Sequence, residues 1–190
     1  MDSNNIPRLD DFVIVFSEMT LTKQFETLKS TINNSLEYYK TAYVSIDQTD
    51  VDKTKVLFED KLKSIMDDGY GFYAKIHTML SILQITDTSQ THKYKYEESL
   101  HILIEMHDFM NSFNSMWAEE FRENIIRLKN TAEILKNDNS VEKQNEIKLL
   151  YENGNSYLLK TRINVFNHCI NQFIIQLCKI KLILKNICVF

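Results

Sequence analysis

Apolar residues recur along this chain at steps of three and four, the repeat of a helix face. From Leu21 the run Leu21, Phe25, Leu28, Ile32, Leu36, Tyr39, Tyr43, Ile46 keeps those steps without interruption. It predicts one amphipathic helix over about 21–46. The segment DQTDVDK follows, where Asp50 or Asp52 suits the N-cap of a second helix. That helix, near 52–85, carries Phe58, Leu62, Ile65, Tyr73, Ile76, Leu80 and Leu83, with Gly69 on the stripe. Gly69 and Gly71 each cost about 1 kcal/mol against alanine inside a helix, and they predict a bend or a close helix approach.

Residues 86–96, TDTSQTHKYKY, are polar and carry no stripe. They read either as a loop or as a poorly packed stretch of one continuous helix. The pattern resumes at Leu100, Leu103, His107 and Met110 and continues through Trp117, Phe121, Ile125, Leu128, Ala132 and Leu135. This predicts a helix reaching residue 136, with Trp117 as its largest anchor and Asn114 interrupting the seam. KNDNSVEK breaks it, and Ser140 is the next N-cap, without the acidic partner of a capping box. The last helix, 141–187, carries Ile147, Leu150, Leu158, Val165, Cys169, Phe173, Leu177, Ile180 and Leu184, with Gly154 on its stripe. At 1.5 Å per residue it spans about 70 Å. Ahead of all this, residues 1–20 form a polar N-terminal extension, expected to be partly disordered. Its apolar run Phe12–Phe16 reads equally as a short strand or a turn of docking helix.

The fold class is therefore all-α: long antiparallel helices with the mixed spacing of left-handed supercoils. Composition agrees. Three glycines and one proline in 190 residues are too few for the tight turns of a sandwich, barrel or Rossmann sheet. No Gly-rich phosphate loop exists. The formal net charge is −4, but it is uneven. Residues 153–190 hold five bases (Lys160, Arg162, Lys179, Lys181, Lys185) and no acid, while residues 1–152 carry 17 bases against 26 acids. A cationic C-terminal helix on an acidic remainder suits self-association, an anionic surface or a merely solvated helix face. Without a basic patch and a high pI the chain is not a nucleic-acid binder.

Candidate chemistry is sparse. Cys169, Cys178 and Cys188 are spaced nine and ten apart, matching neither a zinc site nor a disulfide framework, and read as free thiols in a reducing compartment. Glu98-x-x-His101 has a metal-like spacing, and Glu97, His101 and Glu105 share one face. A di-iron bundle needs that motif twice, so a solvated face is the better reading. His168 and Cys169 are adjacent, so on a helix their side chains point about 100° apart, wrong for a base and its nucleophile. His107 reads as a half-buried packing residue. The expectation is no enzyme, no metal, no cofactor and no small-molecule substrate. The N-terminus lacks the bases of a signal peptide, and Val165–Phe190 is broken by His168 and three lysines. A soluble cytoplasmic protein, at most peripheral to a membrane, is expected.

Laid out this way, the chain resembles the BAR domain, in its sorting-nexin, retromer-associated form, over residues 21–188. LTKQFETLKSTINNSLEYYKTAYVSID is similar to a first BAR helix and KLKSIMDDGYGFYAKIHTMLSIL to the start of a second. SLHILIEMHDFMNSFNSMWAEEFRENIIRLKNTAEIL resembles a distal second helix, and NSYLLKTRINVFNHCINQFIIQLCKIKLIL the returning third. The resemblance implies a single BAR-like domain, a three-helix coiled coil forming an elongated homodimer or heterodimer with another BAR-like chain. It implies a membrane-associated scaffold in endosomal sorting and vesicle trafficking, peripheral to the endosomal membrane, that senses or shapes curved anionic bilayers. Leu36, Tyr39, Tyr43, Phe58, Leu62, Phe173, Leu177 and Ile180 would then form the dimer seam. Arg127, Lys129, Lys136, Lys143 and Lys148 would bind lipid at the tip. The alternative is a compact four-helix bundle with a true turn at 86–96, an adaptor without lipid affinity.

Overall fold

The computed structural model of the chain describes residues 8–42, 50–136, 140–188 and 190. It is helical throughout, with no strand among the described residues. In chain order the helices are α1 (Leu9–Glu18), α2 (Leu21–Thr41), α3 (Val51–Thr86), α4 (Gln90–Lys136) and α5 (Val141–Leu184). No helix among the described residues is long and apolar enough to cross a membrane.

The ends follow capping chemistry. A helix begins with backbone N–H groups that lack intrahelical acceptors, and a short polar side chain just ahead supplies one. Asp50 Oδ1 accepts from the Lys53 amide at 3.1 Å, and Ser140 Oγ from the Lys143 amide at 3.4 Å. Asp50, rather than Asp52, is thus the cap of α3. The Phe12–Phe16 run is helix, not strand. It forms the centre of α1, Phe16 is fully buried, and Phe12 stacks on it at 5.9 Å. The apolar stripe of 21–46 ends its described helix at Thr41, with Ala42 as C-cap. Tyr43 and Ile46 lie outside the described residues.

The break between α3 and α4 is only three residues, 87–89, and α4 is helical from Gln90. Residues 86–96 are therefore neither a long loop nor unbroken helix. Both α3 glycines lie inside continuous helix: Gly69 is buried, and at Gly71 an added Cβ would meet no atom within 4 Å.

By Cα proximity the chain forms two compact units. The first comprises Met1–Ala42, Lys63–Asp108 and Ile170–Phe190. Its core draws on every helix: Phe16, Leu28, Ile32, Leu36 and Tyr39, then Ile76, Met79, Leu80 and Leu83, then Tyr96, Leu103 and Met106, then Phe173, Leu177, Ile180 and Leu184. Tyr39 meets Phe173 edge-on at 5.4 Å. Polar ties supplement the packing. Lys181 Nζ donates to Asn33 Oδ1 at 2.9 Å, joining α5 to α2. The Tyr38 hydroxyl, shared between Asp68 Oδ2 at 2.9 Å and the Ser64 carbonyl at 3.2 Å, joins α2 to α3. Buried Gln24 donates to the Phe16 and Met19 carbonyls and accepts from Thr86 Oγ1, so one amide clasps the α1–α2 corner to the end of α3.

The second unit comprises Tyr43–Leu62 and Phe109–Cys169. Phe58, Met110, Leu159, Ile163, Phe166 and Cys169 are buried in it, and Phe58 crosses Phe166 at 5.7 Å with the rings 83° apart. Here the buried line of α5 differs from the predicted one. Leu159, Ile163 and Phe166 are buried, whereas Leu158 and Val165 are half-buried. In α4 the buried line is Tyr96, Ser99, Leu103, Met106 and Met110, with Leu100 and His107 at its edge. A straight helix drifts against a repeat of three and four, so the inward face moves by one residue over several turns.

Candidate functional site

Every seam residue predicted for a dimer that lies among the described residues is at least half-buried within the single chain. Leu36 and Phe173 are 4% exposed, Leu177 1%, and Tyr39, Phe58 and Ile180 0%; Leu62 is half-buried. Tyr43 falls outside the described residues. Leu36, Tyr39, Phe173, Leu177 and Ile180 belong to the first unit, Phe58 and Leu62 to the second.

The predicted lipid-binding residues flank the connection between α4 and α5, within the second unit. Arg127, Lys129 and Lys148 are exposed and Lys143 is half-exposed; the side chain of Lys136 lies outside the described residues. Exposed Glu133, Glu142 and Glu146 are interspersed among them, and so are the exposed apolar residues Ile126, Val141 and Leu149. The side chain of Trp117 is likewise outside the described residues.

The acidic and histidine face of α4 is solvated. His101 Nε2 lies 3.2 Å from Glu105 Oε1, with both side chains more than half exposed, and Glu97 accepts from Gln84 at 3.0 Å. Among the described residues no three His, Cys, Asp or Glu side chains converge as a metal site. His168 is exposed while Cys169 is buried, as adjacency on a helix requires. Burial pushes the thiols of Cys169 and Cys188 up to about 11, which keeps both protonated at neutral pH. Cys178 is exposed.

Three arrangements went unread in the sequence. The first is a polar lock at the α3–α4 corner. Asp87, 8% exposed, accepts from the Tyr96 hydroxyl at 2.6 Å and from the Ser89 amide at 3.1 Å, and His92 Nδ1 stands 2.7 Å away. A carboxylate only accepts, so His92 carries its proton on Nδ1. Desolvation by itself raises the Asp87 carboxyl, but the bonds from Tyr96, Ser89 and His92 outweigh it and hold it below its ordinary value. The Tyr96 phenol is pushed well above its usual range, by burial first and by its bond to Asp87 second. The signal was present as Ser89-x-x-His92, an N-cap spacing; the Ser89 hydroxyl accepts from the His92 amide at 3.5 Å. Its chemistry is that of a corner fastener, since all three donors close on one acid.

The second is a half-buried ring cluster on α3 and α4. His107 stacks on Tyr73 at 4.5 Å, Tyr70 meets His107 edge-on at 5.9 Å, and His77 lies 5.8 Å from Tyr73. The expected packing role of His107 has this geometry.

The third is a second stripe on α5, on the side away from its buried line. His168, Asn171, Ile175, Cys178 and Leu182 are all exposed, at steps of three and four, and exposed Lys185 follows three residues on, in the turn just past the helix end. Ile175 is 46% and Leu182 70% exposed. The sequence signal was there, since both belong to the apolar-rich stretch of residues 173–184, broken only by Gln176, Lys179 and Lys181, in which two faces overlap.

Comparison of the chain with protein-family models, with curated proteins and with solved structures finds no match in any of the three.

Proposed function

We propose that the chain is a non-catalytic helical interaction module, an adaptor whose helices complete their own core. One observation carries this reading. Leu36, Tyr39, Phe58, Phe173, Leu177 and Ile180, which an elongated BAR-like dimer would place at its seam, are buried inside one chain. Apolar burial stabilises by about 25 cal/mol per Å², and area already removed from water inside a chain contributes nothing to a second partner. Large apolar residues also remain on outward helix faces, among them Ile14, Ile85, Leu149 and Leu182.

A second reading is favoured by the α4–α5 connection. Exposed Arg127, Lys129 and Lys148 beside Ile126, Val141 and Leu149 have the mixture of an interfacial membrane surface. In it the chain is a BAR-like peripheral scaffold of endosomal sorting. Each uncompensated base near an anionic bilayer is worth about 1 kcal/mol, and Glu133, Glu142 and Glu146 offset most of that here. Flotation with phosphatidylserine vesicles separates the two. The adaptor reading expects the chain to stay behind at physiological salt. Co-flotation that is lost in R127E/K129E/K148E would establish the membrane reading instead.

A further inference from the structure

The second stripe of α5 is a helix face with a charge and a period, and no other element among the described residues covers it. In heptad terms Ile175 and Leu182 occupy one core position of α5 and Cys178 the other, Lys179 flanks them, and Lys185 stands in the turn directly after the last helical residue, Leu184. All five are exposed. The neighbouring Lys181 is engaged, donating to Asn33 and lying 5.5 Å over the Phe190 ring, so the outward charge is that of Lys179 and Lys185. Neither lysine forms an ion pair among the described residues, and no acid occurs anywhere from residue 153 to 190.

We propose that this face docks an acidic amphipathic helix of another protein, with Ile175, Cys178 and Leu182 as the apolar seam and Lys179 and Lys185 as its charge guide. The inference rests on the interaction-module reading and names where and what the module binds. Three considerations select the occupant. The steps of three and four are those of a seam that receives a helix, with anchors at i, i+3 and i+7. The charge selects an acidic helix, since oppositely charged flanks set partner choice in paired helices. A second copy of the same face would set Lys179 and Lys185 against their own equivalents, which disfavours self-pairing. A bilayer fits less well. The apolar part covers only about two turns, and two bases supply roughly 2 kcal/mol, below what stable membrane attachment needs.

Cys178 gives the test a reporter, because Cys169 and Cys188 are buried. The full chain is titrated with a labelled synthetic heptad peptide bearing leucine at both core positions and glutamate at the flanks. Anisotropy and the alkylation rate of Cys178 are followed together. We expect saturable binding and at least a tenfold slowing of alkylation at saturation. L182E should weaken binding more than tenfold, and K179E/K185E should switch preference to the matching lysine-flanked peptide. Unchanged far-UV circular dichroism shows that both variants are folded; a variant that loses it is replaced by the milder I175S. The proposal is overturned if the acidic and basic peptides bind alike, or if the acidic peptide leaves Cys178 unprotected. It is equally overturned if phosphatidylserine vesicles protect Cys178 and the peptide does not. Failure of the peptide in a chain that still ignores vesicles removes this face but leaves the adaptor reading standing. Vesicle flotation through Arg127, Lys129 and Lys148 removes the adaptor reading itself.

Discussion

Replacing Tyr96 by phenylalanine tests the corner lock by removing one oxygen atom. The ring of Tyr96 is fully buried and keeps its packing in the variant. What disappears is the 2.6 Å hydrogen bond to Asp87 Oδ2, a bond to a charged acceptor. Such bonds contribute about 1.5–3 kcal/mol net, because the carboxylate left behind keeps its desolvation cost with one donor fewer. For a chain of this size each kcal/mol moves the melting temperature by roughly 2–4 °C, so Y96F should melt ~3–12 °C lower. The pH dependence has a definite sign. The folded Asp87 carboxyl lies below its ordinary value of 3.8, because the hydrogen bonds from Tyr96, Ser89 and His92 outweigh the desolvation that raises it. Its stabilisation is therefore present above that value and is lost as the pH falls through the lower folded one. The gap between wild type and Y96F should be full near neutrality and shrink at strongly acid pH. Thermal melts by circular dichroism of wild type, Y96F, D87N and the double variant measure the coupling, expected to be on the order of 1 kcal/mol or more. A Y96F loss below about 1 °C, with the two substitutions additive, would refute the lock.

Other positions give independent checks. The Tyr39 hydroxyl is buried with no hydrogen-bond partner among the described residues, so Y39F should be neutral or stabilising by up to about 1 kcal/mol in chemical denaturation; a clear loss would mean the hydroxyl is satisfied. Gly71 sits in helix interior with open space where a Cβ would stand, so G71A should raise stability by up to about 1 kcal/mol, and a decrease would contradict that geometry. With Cys169 and Cys188 buried and raised to about 11, one thiol of three should react rapidly with a colorimetric disulfide reagent in the native state and all three in denaturant. Around the α3–α4 corner amide exchange should be fast at Thr88, Gln90 and Thr91 and slow again from Lys93, whose amide donates to the Ser89 carbonyl at 3.0 Å, while the Asp87 amide is held by the Leu83 carbonyl at 2.9 Å.

The helices were legible because their signals are local. Asp50 and Ser140 stand immediately before apolar stripes, and the caps they form need only the next three residues. The stripe Leu28, Ile32, Leu36, Tyr39 reads directly as a buried face. The corner at 87–89 was less legible. No glycine or proline marks it, and its defining bonds reach from Asp87 to His92 and Tyr96, five and nine residues on. Which of Leu158 and Leu159 faces inward was hidden for another reason: in an apolar-rich helix with neighbours on several sides, period alone leaves the phase free by one residue. The outward stripe of α5 was masked in the same way, since Ile174 and Ile175, or Leu182 and Leu184, look equally greasy in one dimension. Of the seam residues that the BAR resemblance names, Leu36, Tyr39, Phe58, Phe173, Leu177 and Ile180 are buried in the described chain. Sequence alone does not say whether the surface that buries them belongs to the same chain.

That last question has a direct measurement. Sedimentation equilibrium of the purified chain at micromolar concentration should return the mass of one chain, 22.5 kDa, because Leu36, Tyr39, Phe58, Phe173, Leu177 and Ile180 are already covered within it. A stable species of twice that mass, dissociating only together with loss of helicity, would contradict the self-contained module and return these residues to a dimer seam.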